Sequence, residues 1–292
     1  MHPSAVASGR LARRHRTQKF MWGIFGLSSL INLAALAIIC AFLLIKGLPA
    51  ISWSFLTEMP RDSMTAGGIL PCIIGTIALS LGTMLLAFPL GVASAVYLNE
   101  YAKPGRTLRL IRLGINNLAG VPSVVFGLFG LAFFVTFFGL GVSLLSGILT
   151  LSILVLPVII GTAEEALRSV PQTYREASLG LGATKWQTIR LVVLPAAMPG
   201  MLTGAILGLS RVAGETAAIM FTAAVFYTPS LPTSLGDSVM ALPYHIYVLA
   251  TAGTEIDKTR PLQYGTALVL IVLVLGMNLT AILYRARLQK RR

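Results

Sequence analysis

The chain has 292 residues, of which 55% are apolar and only 11% charged, against roughly a quarter charged in a soluble domain. With a mean hydropathy of +0.81 its main solvent is lipid, and at about 20 residues per crossing the length leaves no room for a large soluble domain. The net charge of +13 stands in short Lys/Arg blocks beside apolar runs, a pattern of membrane topology rather than of nucleic-acid binding.

Residues 1–19 form a basic tail with Arg10, Arg13, Arg14, Arg16 and Lys19. Phe20 to Ile45 carries no charge and is too long for the apolar part of a secretory signal, so it reads as a first transmembrane helix. Trp22 and Trp53 flank it as interfacial anchors. The next charge-free run, Ser63 to Asn99, contains a second span from about Ile69 to Tyr97, with Gly67, Gly68 and Pro71 marking an irregular outer approach and Pro89 a kink. Leu113 to Ala163 is long enough for two spans, with Asn116 and Asn117 opening the third and Gly139-Leu140-Gly141 turning into the fourth. Residues 164–195 are polar. A fifth span is expected from Ala196 to Val225, then a polar outer stretch with Pro229, Pro232, Asp237, Pro243, Glu255 and Asp257. The sixth span is Leu262 to Tyr284, and 285–292 is a second basic tail.

With the N-terminus in the cytoplasm, 18 of the 23 Lys and Arg residues fall on that side, four fall outside and Arg211 lies within a span. Both termini are therefore expected in the cytoplasm. The expected fold is an all-α integral membrane protein of about six transmembrane helices. The expected division is a tail at 1–19, a permease domain at 20–284 and a tail at 285–292.

The polar segment 164–195 fits two short helices. Pro171 favours a helix start, Gly180 and Gly182 break the first helix, and Thr184 with Gln187 forms a capping box that opens the second. From Glu176 the segment resembles the coupling motif of ABC-type import permeases, EAA-x3-G-x9-I-x-LP. Glu176, Ala177 and Ser178 stand at its first three places, Gly182 at the glycine, Val192 at the isoleucine and Leu194-Pro195 at its end. Ser178 and Val192 depart from the motif, both by small changes in volume. The resemblance implies a MetI-like permease core and a loop that docks onto a separate ATP-hydrolysing subunit. The chain contains no Gly-Lys pair and hence no phosphate-cradling P-loop. ATP and Mg are expected on that partner, and no cofactor, metal or catalytic residue on this chain.

Span five carries Gly200, Gly204, Gly208, Arg211 and Glu215, which share an arc of about 80° at 100° per residue. Glycines four apart permit close helix packing. An Arg roughly 14 residues into the span lies about 21 Å deep, and a charge at such depth marks a permeation path or a structural ion pair. A planar guanidinium suits an oxyanion because it donates two parallel bonds. The run from Leu209 to Ala217, with Phe221-Thr222-Ala223 after it, resembles the phosphate-uptake branch of the family. That run and Met240 to Tyr247 look like its A-type permease subunit rather than the C-type. The resemblance implies phosphate passage at Arg211 and Glu215, and Thr216, next in the Arg-x-x-Gly-Glu-Thr run, is expected on the same substrate pathway. It also implies a homologous C-type permease, an ATP-binding subunit dimer and an extracytoplasmic phosphate-binding protein as partners in a bacterial or archaeal inner membrane. Two rival readings are a permease for another oxyanion such as sulfate and a stand-alone secondary anion transporter.

Cys40 and Cys72 read as packing residues, His245 as a surface or packing residue, Asn278 as interhelical glue, and Phe133, Phe134, Phe137 and Phe138 as packing or lipid-facing rings.

Overall fold

The first span lies in α1 (Pro3–Gly47), one unbroken helix that also takes in the basic segment before Phe20. The computed structural model describes residues 3–61, 66–228, 230–252 and 256–290. Ser63, Pro229, Glu255, Arg291 and Arg292 lie outside the described residues, as do the side chains of Arg10, Arg13, Arg16, Asp257, Lys258 and Lys290. Phe25, Leu30, Leu36 and Ile38 of α1 are exposed, as a lipid-facing helix requires. A 3-10 turn and α2 (Trp53–Thr57) come next, the latter capped by Ser52 Oγ, which accepts from Phe55 N–H at 3.1 Å. Two-residue strands β1 (Pro60–Arg61) and β2 (Ala66–Gly67) then pair antiparallel.

The second span is α3 (Leu70–Val96), which runs through Pro89 and closes on a π-helical turn, Tyr97–Tyr101. The third span departs from expectation. α4 (Arg106–Ala119) is amphipathic and carries Arg106, Arg109 and Arg112. It is bent by 101° against α5 (Ser123–Gly130) and the π-helical turn Leu131–Phe137 that continues it. The chain thus places a broken pair of helices here rather than a straight crossing from Leu113. Asn116 and Asn117 stand near the end of α4 and do not open a span. Pro122 disfavours helical backbone at Val121, which accounts for a break there. Among the described residues, five helices are long and apolar enough to cross a membrane, or six if the bent pair counts as one span.

Gly139 and Gly141, at φ +66° and +68°, make the turn into α6 (Leu144–Arg168). Beyond α6 come α7 (Gln172–Gly180), α8 (Lys185–Thr188), a π-helical turn Ile189–Val193 and α9 (Leu194–Ala213). α10 (Ile219–Thr222), α11 (Leu242–Thr251) and α12 (Ile256–Lys290) complete the chain.

α6 is the central helix. It packs against α3 on one side and α9 on another, and Leu151, Val155 and Ile159 on it are almost fully buried. Lipid is as apolar as a leucine side chain, so close packing and hydrogen bonds hold these helices together rather than the hydrophobic effect. Small residues supply the fit: Gly82 faces the Ile148 side chain, Gly91 faces Ile159, and Ala87 and Ala95 are fully buried.

The stretch between spans five and six folds back on the core. Thr222, Leu235 and Asp237 carbonyls accept from the N–H groups of Ser143, Leu145 and Leu144 at 2.8–3.0 Å, satisfying donors that the start of α6 leaves open. The Asp237 carboxylate takes four bonds from the backbone N–H groups and hydroxyls of Thr233 and Ser234, which hold it down at about 2. His245 of α11 is buried among packed side chains, and loss of solvation lowers it to about 4.

Candidate functional site

Two groups of polar residues stand out against this apolar frame, one near the middle of the bundle and one at the end where α7 and α8 lie.

Within the bundle, α9 leans on α6 through its three glycines. Gly200 faces Ala166, Gly204 faces Thr162, and Gly208 faces Val155 together with the Met84 sulfur of α3. Val155 and Met84 are near the centres of their own helices, so Gly208 lies close to the middle of the bundle. Arg211 is one turn further out, in the last turn of α9. The helix stops there: Gly214 N–H donates to the Arg211 carbonyl at 3.3 Å and Glu215 N–H to the Val212 carbonyl at 3.2 Å, and helix resumes only at Ile219. Span five is therefore discontinuous, where a single helix from Ala196 to Val225 was expected. Glu215 does not share a helix face with Arg211. It lies on the non-helical link, and the chain still brings its Oε1 to 4.0 Å from Arg211 Nε.

The pair is unevenly exposed. The Arg211 side chain is 38% accessible and that of Glu215 13%. α5 opens at Ser123 directly after the 101° bend and packs against α10, which follows the break in span five. Gly127 keeps them together, because any Cβ there would stand 2.9 Å from the Ala217 carbonyl oxygen. Thr216 is partly buried beside the pair. Next to them, Ser210 Oγ donates to Asn278 Oδ1 of α12 at 2.9 Å, an interhelical bond of the kind expected for Asn278. Non-helical backbone at membrane depth is tolerated where it lines a cavity or is buried in protein, and interrupted spans of this kind form midplane sites in transporters.

At one end of the bundle, α7 and α8 make a two-helix knuckle. Gly182 at φ +87° turns between them, and the capping box is complete: Thr184 Oγ1 accepts from Gln187 N–H, and Gln187 Oε1 accepts from Thr184 N–H at 2.8 Å. Ser178, one of the departures from the motif, lies 2.9 Å from the Thr188 hydroxyl and so ties α7 to α8. Glu176 and Ala177 are exposed on α7, as are Tyr174, Leu181 and Trp186 nearby. Leu194 and Pro195 form the first turn of α9, so the knuckle runs straight into the helix that carries Arg211.

Sequence reasoning missed three ion pairs here, two of them between helices. Arg175 of α7 makes a two-pronged bond to Glu100 in the π-helical turn after α3, at 2.8 and 3.4 Å. Arg112 of α4 donates to Glu164 of α6 at 3.4 Å, and Arg168 reaches the other Glu164 oxygen at 3.3 Å. The partners in the two interhelix pairs are 75 and 52 residues apart, beyond any local pattern. The available signal was that Glu100 and Glu164 are the first acids after long charge-free runs.

Residues 87–292 match a family described as the binding-protein-dependent transport system inner membrane component. The chain is 36% identical over 280 residues to the probable ABC transporter permease protein YqgI of Bacillus subtilis, covering 92% of this chain and 95% of that one. It is 38% identical over 227 residues to the phosphate transport system permease protein PstA 1 of Mycobacterium tuberculosis, covering 78% and 72%. Among solved structures, a chain of a bacterial alginate ABC transporter superposes with a TM-score of 0.66 at 16% identity over 93% of this chain and 96% of that chain, a likeness of fold.

Proposed function

The chain belongs to the family of binding-protein-dependent transport system inner membrane components, and from that premise we propose that it is the A-type permease subunit of an ATP-driven phosphate importer. As a permease of an ABC importer it is a multi-pass inner-membrane protein, and ATP hydrolysis belongs to a separate subunit. The family also implies a substrate-binding partner. Within that frame the finer assignments are ours. The second permease is of the C type, the external partner binds phosphate, and both termini lie in the cytoplasm. Segment 164–195 is the coupling loop, with Glu176, Ala177, Ser178 and Gly182 presented to the ATPase and Leu194-Pro195 passing its motion into α9.

The observation that carries the substrate reading is a partly accessible guanidinium near the middle of the bundle, beside the break in span five. Arg211 attracts phosphate and binds it transiently. Glu215, 4.0 Å away, competes with the anion for the guanidinium. A lone cation at low dielectric would hold a dianion too firmly to release it. Thr216, on the same link, offers a hydroxyl toward the path.

The test is phosphate uptake by the reconstituted complete complex. Arg211→Leu in an inserted, assembled complex lowers uptake by at least about tenfold, the loss expected for charged hydrogen bonds of about 1.5–3 kcal/mol. Undiminished uptake refutes the transport role of Arg211. ATP hydrolysis stimulated by sulfate rather than phosphate, with the matching binding protein, would replace phosphate with that oxyanion.

A further inference from the structure

The cytoplasmic knuckle is held unevenly. α7 buries none of its residues. A groove of about 670 Å³, lined by Asn99, Glu100, Gln172, Arg175, Lys185 and Thr188 among others, lies between it and the ends of the spans. Apolar packing therefore does not fix α7. The chain itself ties the knuckle to α6 through Val170, which is buried, and to α9 through the helix that runs from Lys185 to Ala213. α3 is different. It packs along both α6 and α9, but no stretch of backbone joins it to the knuckle.

Its connection is the π-helical turn Tyr97–Tyr101. Arg175 Nη2 donates to Glu100 Oε1 at 2.8 Å and Nε to Oε2 at 3.4 Å. The same guanidinium donates to the carbonyls of Val170 at 2.8 Å and Leu167 at 2.9 Å, at the end of α6. One side chain of α7 therefore holds the ends of two spans together. Asn99 Nδ2 supports the carboxylate at 2.8 Å. The next residue, Tyr101, has the Lys185 ammonium of α8 over its ring at 4.9 Å. Both helices of the knuckle thus grip one turn. The pair is also well shielded, with 13% of the Arg175 side chain and 9% of the Glu100 side chain accessible. Bidentate geometry adds direction as well as strength, and removing one member would leave the other charge unpaired in a shielded place.

We propose that Arg175 is a positioning residue for transport: through Glu100 it makes α3 move with α6 and α9 when the ATPase subunits close on the knuckle. The proposal rests on reading 164–195 as the coupling segment.

The test uses the complete complex in vesicles, with phosphate uptake and ATP hydrolysis measured together for wild type, Arg175→Gln, Glu100→Gln and the double variant. Phosphate moved per ATP falls about fivefold or more in each single variant and no further in the double, because either change opens the same pair. Arg175→Lys, which keeps the charge but loses the fork, falls between wild type and Arg175→Gln. An unchanged ratio in both single variants, or losses that multiply in the double, overturns the proposal. If wild type moves sulfate and not phosphate, the substrate assignment fails while the ratio, counted with sulfate, still decides the role of Arg175. Should a variant not assemble, hydrogen exchange on the full-length chain in detergent decides instead. Arg175→Gln must raise exchange in both 172–180 and 97–101, and a rise in only one of them overturns the proposal.

Discussion

Gly204→Ala probes the seam on which Arg211 is carried. A Cβ at position 204 would overlap Thr162 Oγ1 and stand 2.7 Å from Thr162 Cβ. Thr162 has little freedom to yield, because its hydroxyl donates to the carbonyls of Val158 and Ile159 at 2.8 and 3.1 Å. Overpacking of this kind costs about 1–3 kcal/mol. Alanine is the better helix former by about 1 kcal/mol, so the net change runs from neutral to about 2 kcal/mol destabilising. Gly276→Ala in α12 is the matched control, since a Cβ there meets nothing within 4 Å and only the propensity gain remains. The two variants should therefore separate by about 1–3 kcal/mol, at about 2–4 °C of midpoint per kcal/mol for a chain of this size. The assay is apparent Tm of the purified complex in detergent, scanned at one rate. Thr162→Ala added to Gly204→Ala removes the nearest atom and recovers part of the loss. A Gly204→Ala midpoint equal to or above that of Gly276→Ala would refute the close approach of α9 to α6.

Two further outcomes rest on local chemistry. Thr184→Ala removes the hydroxyl that receives Gln187 N–H, so α8 frays at a cost of about 1 kcal/mol and hydrogen exchange at 185–188 rises, while exchange in α12 stays constant. His245 takes up a proton near 6.5 when unfolded and near 4 in the folded protein, where burial disfavours its charge. Between those values the unfolded chain binds more protons, so stability is full above about pH 6.5 and is lost as pH falls toward 4, by up to about 3 kcal/mol. Tm measured at pH 7.5 and pH 5 checks this; His245→Leu should flatten the difference, and an equal drop in that variant would place the acid sensitivity elsewhere.

Much of this protein is written in one dimension. Charge-free runs of at least bilayer length force spans because a lipid-exposed backbone has no other way to satisfy its hydrogen bonds, so α1, α3, α6 and α12 fall where hydropathy puts them. The knuckle was equally legible, since Pro171, Gly182 and the Thr184–Gln187 box act within a few residues of one another. Gly200, Gly204 and Gly208 face a neighbour, as spacing of four on a helix requires.

Where the spans break was not legible. Leu113 to Ala119 is as free of charge as any span, yet it continues a helix whose Arg112 reaches Glu164 and the Leu98 carbonyl near the ends of α6 and α3, and Val121-Pro122 then turns the chain. In span five the apolar count hides that helix ends at Ala213, so the wheel placed Glu215 on a face it does not share, although tertiary structure restores the contact by a different route. The same holds for Glu100 and Arg175. Local sequence fixes which backbone hydrogen bonds form within a few residues. Which charges meet, and where a helix stops inside the bundle, depends on groups contributed by distant helices that only packing brings within reach.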